Sequence, residues 1–186
     1  MNIFFLHQSV TTCARHHVDK HCVKMILEYA QLLSTAHRVL DGVEREALSK
    51  SGRRQKLWSL DDSRLNSTLY KATHANHPSA IWCRQSTQNY IFLAALLRCL
   101  CKEYTHRYGK IHRVEQLGMP KLFLTNIPKA LKPLGFTEPT PAMPDKYKVE
   151  GDSVASYRNY YHGDKAHMFV WKNREQPDWI QNGTKI

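Results

Sequence analysis

Residues 17–36 read HVDKHCVKMILEYAQLLSTA, and this stretch decides the fold that the sequence predicts. At about 100° per residue, its apolar side chains fall on several sides of a helix, which is typical of a largely buried one. The polar side chains of the stretch share one edge: His17, His21, Lys24, Glu28 and Gln31. Because polar groups in a buried helix are costly unless they pair or line a cleft, we expect the chemistry at this edge.

The rest of the chain predicts a mainly α, compact, single-domain fold over residues 1–186, with two long helices. The first helix follows a run of possible capping residues and ends near Leu40. The second extends over about 79–108 and is rich in leucine. The tail after Pro177 is expected to be peripheral.

Shorter segments complete this prediction. Residues 1–6 are apolar and favour a buried strand or an extended arm. Residues 41–75 are polar and basic and are typical of an exposed loop excursion, while residues 133–150 are rich in proline and predict an irregular crossing. A short helix is expected over 121–131 and a last helix over about 152–171.

The charge of the chain favours a polyanionic partner. The formal net charge is +11 at pH 7, and a basic balance of this kind is most often matched to nucleic acid. Anionic nucleotides or an acidic protein remain alternatives. The five cysteines form no C-x-x-C pair, which favours reduced, packed thiols. No apolar run is long enough to span a membrane and no signal peptide is evident, so we expect a cytoplasmic protein.

Three side chains of the polar edge suit catalysis. Glu28, next to Lys24 and His21 on the helix, has the chemistry of a general acid or base. Lys24, or Lys20 one turn earlier, is an amine able to form a Schiff base with a sugar aldehyde. The alternative is a structural polar network that joins this helix to Arg84 or Arg107.

A metal site is the weaker interpretation of the same edge. His17 and His21 have the i, i+4 spacing of two ligands on one helix. Lys20 lies between them, however, and its charge opposes a dication. We therefore predict no metal and no cofactor, with a metal hydrolase kept as an alternative.

Basic and aromatic residues spread along the chain are the candidates for nucleic-acid contact, because cations neutralise phosphates and aromatic rings stack on bases. A tyrosine face at helical spacing is also an ordinary core face, and the basic loop is equally consistent with a solvated excursion. The predicted contact residues are His17, Lys20, Arg53, Arg54, His77, Arg84, Arg107, Arg158, Tyr160 and Lys165.

Three segments together resemble a known enzyme family. The pair His21 and Glu28 resembles the first-helix histidine and catalytic glutamate of the pyrimidine-dimer DNA glycosylases of the endonuclease V type. Residues 77–110, which end in Arg-Tyr-Gly-Lys, resemble the long middle helix of that family, and residues 156–163, SYRNYYHG, resemble its C-terminal WYKYYG motif. The three matches keep the family's order and lie between residues 21 and 163. The chain also resembles small phage-encoded proteins of this layout.

The resemblance implies a helical base-excising enzyme that acts on duplex DNA. In that family an N-terminal α-amine attacks the sugar carbon, and a glutamate, here Glu28, assists ring opening and strand cleavage. The family exposes the amine of a threonine after removal of the initiator methionine, whereas Asn2 should leave Met1 in place here. The nucleophile is therefore the amine of Met1, or else Lys20 or Lys24.

The predicted function is thus that of a DNA glycosylase and abasic-site lyase for damaged or modified pyrimidines, reached by distortion or flipping of the duplex. Two alternatives stay open besides the metal hydrolase. One is an enzyme of phage DNA metabolism that processes nucleotides or modified bases, and the other is a noncatalytic DNA-binding protein. If the chain is phage-encoded, it is expected in the host cytoplasm.

Overall fold

A computed structural model describes residues 1–49 and 51–181, and this part of the chain is mainly helical, as predicted. Lys50, in the predicted basic loop, and residues 182–186 lie outside the described residues. The elements in chain order are α1 (Val10–His16), α2 (Asp19–Asp41), β1 (Val43–Leu48), β2 (Arg54–Ser59), α3 (Ser63–Thr68), α4 (Pro78–Cys83), α5 (Thr87–Tyr108), α6 (Arg113–Gln116), α7 (Met119–Thr125), a 3₁₀ turn (Asp145–Tyr147), α8 (Ser153–Tyr160), a π turn (Tyr161–Lys165), a second 3₁₀ turn (Ala166–Met168) and α9 (Asp178–Gln181).

The core forms around α2 and α5, which pack against each other. Ile26 and Leu33 of α2 and Leu93 and Leu97 of α5 are all fully buried, which confirms that the apolar sides of α2 face the interior. A buried leucine or isoleucine contributes about 1.5–3 kcal/mol of transfer free energy. Among the described helices, none combines the length and the apolar character needed to cross a bilayer.

The predicted first helix is interrupted, and this prediction of one continuous helix was wrong. α1 ends at His16, His17 and Val18 have extended backbone, and α2 begins at Asp19. The guanidinium of Arg107 donates to the carbonyl oxygens of Arg15 and His17 at 2.9 and 2.8 Å. These hydrogen bonds satisfy carbonyl groups that α1 leaves unpaired at its end, so the chain turns there at little cost.

The predicted second long helix is also two helices. α4 ends at Cys83, and Ser86 caps α5 by accepting a hydrogen bond from the amide of Asn89 at 3.0 Å. The Asn89 side chain then donates to the carbonyl of Trp82 at 3.1 Å, so a side chain of one helix satisfies the end of the other. A continuous helix would lose both contacts.

The predicted loop over residues 41–75 contains regular structure. β1 and β2 form an antiparallel two-stranded ribbon, and α3 follows it. Sequence reasoning missed the ribbon because most of its side chains are exposed on both faces, so no alternation of apolar and polar residues marks it. The proline-rich crossing is irregular as predicted, apart from one 3₁₀ turn.

The short helix, the last helix and the C-terminal tail all differ from the prediction. The short helix, α7, ends at Thr125, and the last long helix passes from α8 into the π turn at Tyr161. The tail is not wholly peripheral, because the ring of Trp179 packs 5.9 Å from that of Tyr161 and its indole nitrogen donates to His16 at 3.1 Å. Trp179 is partly buried against the core, so the tail is attached through this side chain.

Residues 1–6 form an extended arm without strand pairing, and Ile3 to Leu6 are buried. The amide of Phe4 donates to the hydroxyl of Tyr29 at 3.1 Å, and the guanidinium of Arg158 donates to the carbonyl of Leu6 at 3.0 and 3.1 Å. The Ser79 hydroxyl donates to the carbonyl of Met1 at 3.1 Å. The arm therefore delivers residue 1 to the beginning of α4.

Candidate active site

Glu28 occupies the edge of α2 that the sequence singled out. Its carboxylate lies 3.2 Å from the ammonium of Lys24, and the two side chains are 14% and 68% exposed. The carboxylate is thus largely enclosed but retains some exposed surface, and it is paired with an exposed lysine rather than sealed against an arginine. Such i, i+4 pairs stabilise a helix by only about 0.3–0.5 kcal/mol.

The charges of Glu28 and of the N-terminal ammonium both act on the ring of His77. Burial lowers the pKa of His77, the N-terminal ammonium and His74 lower it further, and Glu28 raises it. The ring accepts a hydrogen bond at Nδ1 from the amide of Ser79 at 3.2 Å, as the cap of α4. In the neutral ring the proton therefore lies on Nε2. Met1 and His77 thus lie at the beginning of α4, and Lys24 and Glu28 form their pair on α2, which packs against α4.

His74 adds a strained backbone to this neighbourhood. It has a φ of +49°, in the left-handed region that non-glycine residues seldom occupy. Its Nδ1 lies 2.7 Å from the hydroxyl of Thr73. Backbone strain of this kind costs about 1–3 kcal/mol and concentrates at functional sites, which supports the assignment of this junction as the candidate site.

His21 belongs to an aromatic cluster beside the same edge. Its Nδ1 lies 2.7 Å from the Tyr161 hydroxyl, and its ring stacks on Phe4 at 4.1 Å with 18° between the planes. Burial, together with the smaller effects of the charges of His17, Lys165 and Lys24, lowers the pKa of His21 to about 3. His21 is therefore neutral at pH 7, so it suits hydrogen bonding to a substrate better than charge pairing with a phosphate.

His17 is withdrawn from the predicted nucleic-acid contacts. It is fully buried, its Nδ1 lies 2.7 Å from the carbonyl oxygen of Cys13 and its Nε2 lies 3.1 Å from the hydroxyl of Tyr29. With one ring nitrogen donating to Cys13, the other accepts from Tyr29, which itself accepts from Phe4. His17 thus ties the N-terminal arm to α1 and α2.

Arg107 is also withdrawn, because its side chain has no exposed surface. It donates to Glu103 at 2.8 Å and to Asp19 at 2.9 Å, in addition to the two carbonyl groups that end α1. Arg174 binds the same Glu103 carboxylate with two hydrogen bonds of 2.9 Å. This network is the structural alternative that the sequence left open, and a phosphate has no access to it.

The other predicted contact residues lie at the surface or partly buried. Lys20, Arg53 and Arg54 are exposed. The Lys165 ammonium lies 4.7 Å from the ring centre of Tyr160, which also packs on Phe4 and Tyr147, and both residues are partly buried. These groups do not all meet at one site, because Arg53 and Arg54 belong to the far end of the β-ribbon.

Two of the predicted arginines make contacts or are enclosed within the fold. Arg158 is committed in part to Leu6, and its guanidinium lies 5.2 Å above the ring of Trp179. Arg84 ends α4, and its buried Nη1 has no hydrogen-bond partner in the described part of the chain. The free donor of Arg84 is therefore enclosed within the fold, whereas Arg158 uses only Nε and Nη2 in its hydrogen bonds to Leu6.

The residues proposed as metal ligands do not form a metal centre. His17 and His21 lie on opposite sides of the break between α1 and α2, so they lack the common helix face that their spacing predicts. Each is hydrogen-bonded to a tyrosine. Within residues 1–49 and 51–181, no three His, Cys, Asp or Glu side chains converge as a metal site would require.

No family model, no curated protein and no solved structure matches this chain. The likeness to the pyrimidine-dimer DNA glycosylases therefore rests on the sequence motifs described above.

The buried histidines make stability dependent on pH. Burial lowers the pKa values of His16, His17 and His37 to about 4, so between pH 6.5 and 4 the unfolded chain binds more protons than the folded one. Above pH 6.5 these histidines do not reduce the free energy of unfolding. As the pH falls from 6.5 towards 4, the free energy of unfolding decreases by about 1.4 kcal/mol per pH unit for a fully buried group such as His17. Urea unfolding at pH 7.5, 6.5 and 5.5 should show the midpoint falling below pH 6.5. A midpoint that stays constant over this range contradicts the burial of neutral histidines.

Proposed function

We propose that the chain is a DNA glycosylase with abasic-site lyase activity, whose reacting centre is the junction of the N-terminal arm, α2 and α4. The observation that carries the proposal is the position of an amine, an imidazole and a carboxylate at this junction: Met1 and His77 lie at the beginning of α4, and Glu28 lies on α2, which packs against α4. An amine next to a carboxylate is the pair that Schiff-base chemistry on a sugar requires.

The proposed reaction follows from these groups. The amine attacks C1′ of the sugar, a C–N bond forms as the glycosidic bond breaks, and the base leaves with the bonding electrons and takes up a proton. Ring opening gives a protonated imine. The Glu28 carboxylate then removes a proton from C2′, and the electrons released expel the 3′ phosphate oxygen. Water hydrolyses the remaining imine and returns the amine. Neither an oxidant nor a cofactor is consumed.

Among the candidate nucleophiles, the amine of Met1 has the best support. The arm fixes its position through Tyr29 and Ser79, and α-amines as a class are weaker bases than lysine side chains, so a larger fraction is unprotonated at neutral pH. Lys24 is 68% exposed and is paired with Glu28, so its ammonium is better suited to holding a phosphate or the carboxylate. The exposed Lys20 takes the same supporting part.

Borohydride trapping on duplex DNA with one abasic site tests the proposal. We expect a covalent protein–DNA adduct, with the label on the peptide that contains Met1 after digestion and mass spectrometry. Chemical acetylation restricted to the α-amine should reduce the adduct at least a hundredfold, because it removes the nucleophile, whereas Lys24→Gln should change it less than fivefold.

Two results would contradict this expectation in different ways. A label on Lys24 or Lys20 moves the nucleophile and keeps the lyase. Absence of any adduct, at concentrations where the protein binds the abasic duplex, refutes the lyase and leaves a noncatalytic DNA-binding protein.

A further inference from the structure

The β-ribbon formed by β1 and β2 is solvated on both sides. Val43 and Leu48 are 66% and 68% exposed, and the side chains from Glu44 to Glu46 and from Arg54 to Lys56 are also exposed. A two-stranded ribbon is at best marginally stable in water on its own. Because both faces of this ribbon are exposed, we expect contacts elsewhere in the chain to hold it in place.

The register of the strands sorts the ribbon into two faces of different charge. On the first face Glu44 and Glu46 lie opposite Trp58 and Lys56, and the ammonium of Lys56 lies 2.8 Å from the carboxylate of Glu44. Charges of both signs thus offset one another on that face.

The second face carries cations without carboxylates. Its strand residues are Val43, Arg45, Ala47, Gln55, Leu57 and Ser59. Arg53 precedes β2 by one residue and alternates with Arg54, so the alternation places it on the side of Gln55. We name the trio Arg45, Arg53 and Gln55 the basic face. Arginine and glutamine are the side chains that bind phosphates and read purine edges in DNA.

The base of the ribbon is fixed to α2. The Arg38 guanidinium donates to the carbonyl of Trp58 at 2.8 Å and to Asn66 and Leu69 at 2.8–3.0 Å. Gly42 permits the close approach of β2 to the end of α2, since a Cβ at that position would collide with the carbonyl oxygen of Arg38 and lie 3.2 Å from the Cβ of Trp58. The ribbon is therefore anchored to the same helix that carries Glu28.

The dimensions suit a partner that is long and regular. Glu28 lies about 20 Å along α2 from the ribbon's base at 1.5 Å per residue, and each six-residue strand adds about 20 Å. A free nucleotide is too small to contact both places. The major groove of B-DNA is about 12 Å wide and accepts a two-stranded ribbon, and one turn of the duplex spans about 34 Å.

We propose that the β-ribbon enters the major groove of duplex DNA with its basic face against the bases and phosphates. This inference rests on the proposed function in that it takes the substrate to be duplex DNA. It goes beyond it by assigning a second contact surface, remote from the reacting centre, to residues that take no part in the chemistry.

The test compares two double variants that remove the same charge. R45Q/R53Q removes the cations of the basic face, and K56Q/R64Q, which removes one exposed cation from the other face of the ribbon and one from α3, is the matched control. Fluorescence anisotropy with an unmodified 20-bp duplex should show R45Q/R53Q binding at least tenfold more weakly, with the slope of log K against log salt shallower by about 1–2. K56Q/R64Q should bind within threefold of wild type, and circular dichroism checks that both variants fold.

Several results would overturn the proposal. Equal losses in the two variants would mean that only overall charge matters, and no loss would mean that the ribbon is not in contact. Equal affinity for duplex RNA would exclude groove insertion, because the A-form major groove is too narrow. A dimer that dissociates in R45Q/R53Q would assign the face to a second copy of the chain. Trapping on a single-stranded abasic oligonucleotide is scored separately, so loss of the lyase and loss of the ribbon contact are distinguishable.

Discussion

Replacing Glu28 with glutamine is expected to reduce strand cleavage at abasic sites by about 10²–10⁴-fold, the contribution typical of a positioned acid–base group. The amide keeps the size of the side chain but is unable to accept the C2′ proton. Because the ion pair with Lys24 is partly exposed, its loss should cost no more than about 0.5 kcal/mol of stability. Single-turnover cleavage of a labelled abasic duplex measures the effect, and anisotropy should show affinity within twofold of wild type.

The ribbon offers a matched control for this variant. Glu44 is also a carboxylate paired with a lysine, at 2.8 Å from Lys56, but it is remote from the N-terminal arm. Glu44→Gln should therefore cleave at the wild-type rate. Cleavage by Glu28→Gln at the wild-type rate would remove Glu28 from the mechanism. If the wild type shows no cleavage and Glu28→Ala strongly lowers the free energy of unfolding, the noncatalytic DNA-binding protein is favoured.

The parts of the fold that the sequence predicts well are those governed by helical periodicity. The apolar pattern around Ile26 and Leu33 is long and regular, so it identifies a buried helix correctly. The interruption at His17 depends on Arg107, which is distant in the sequence, so local patterns hold no record of it. The interruption at Arg84 depends on local contacts, the cap at Ser86 and the hydrogen bond from Asn89 to Trp82, and the apolar pattern that continues across it led to the prediction of one helix.

The candidate site was predicted in part, for the same reason. Glu28 and Lys24 share a helix edge, so their spacing alone brings them together. The contribution of Ser79, which holds Met1, and of Tyr161, which holds His21, comes from contacts between distant segments. Arg107 was predicted to contact phosphate because the sequence shows its charge but does not show its hydrogen-bond partners in the fold. One usable signal was present, since Glu103 and Arg107 have the i, i+4 spacing of an ion pair.

Arg107→Met is expected to lower the free energy of unfolding by about 3–5 kcal/mol, the cost of breaking a buried ion pair from one side. Methionine fills much of the volume but leaves Asp19 and the carbonyl groups of Arg15 and His17 without the donors that Arg107 supplies. Glu103 keeps its two hydrogen bonds from Arg174, which holds the loss within this range. Urea unfolding at pH 7.5 measures the change, and Arg98→Met on the exposed side of α5 is the control, expected within about 0.5 kcal/mol of wild type.

A second substitution separates structure from DNA contact at this position. Arg107→Lys keeps the positive charge but loses the planar fork that reaches four acceptors at once, so we expect stability between that of Arg107→Met and wild type. If Arg107 acts only within the fold, the salt dependence of DNA binding by Arg107→Lys will equal that of wild type wherever the variant is folded. A shallower salt slope for Arg107→Met than for Arg107→Lys, with both folded, would return Arg107 to the DNA interface and would require the break between α1 and α2 to open when DNA binds.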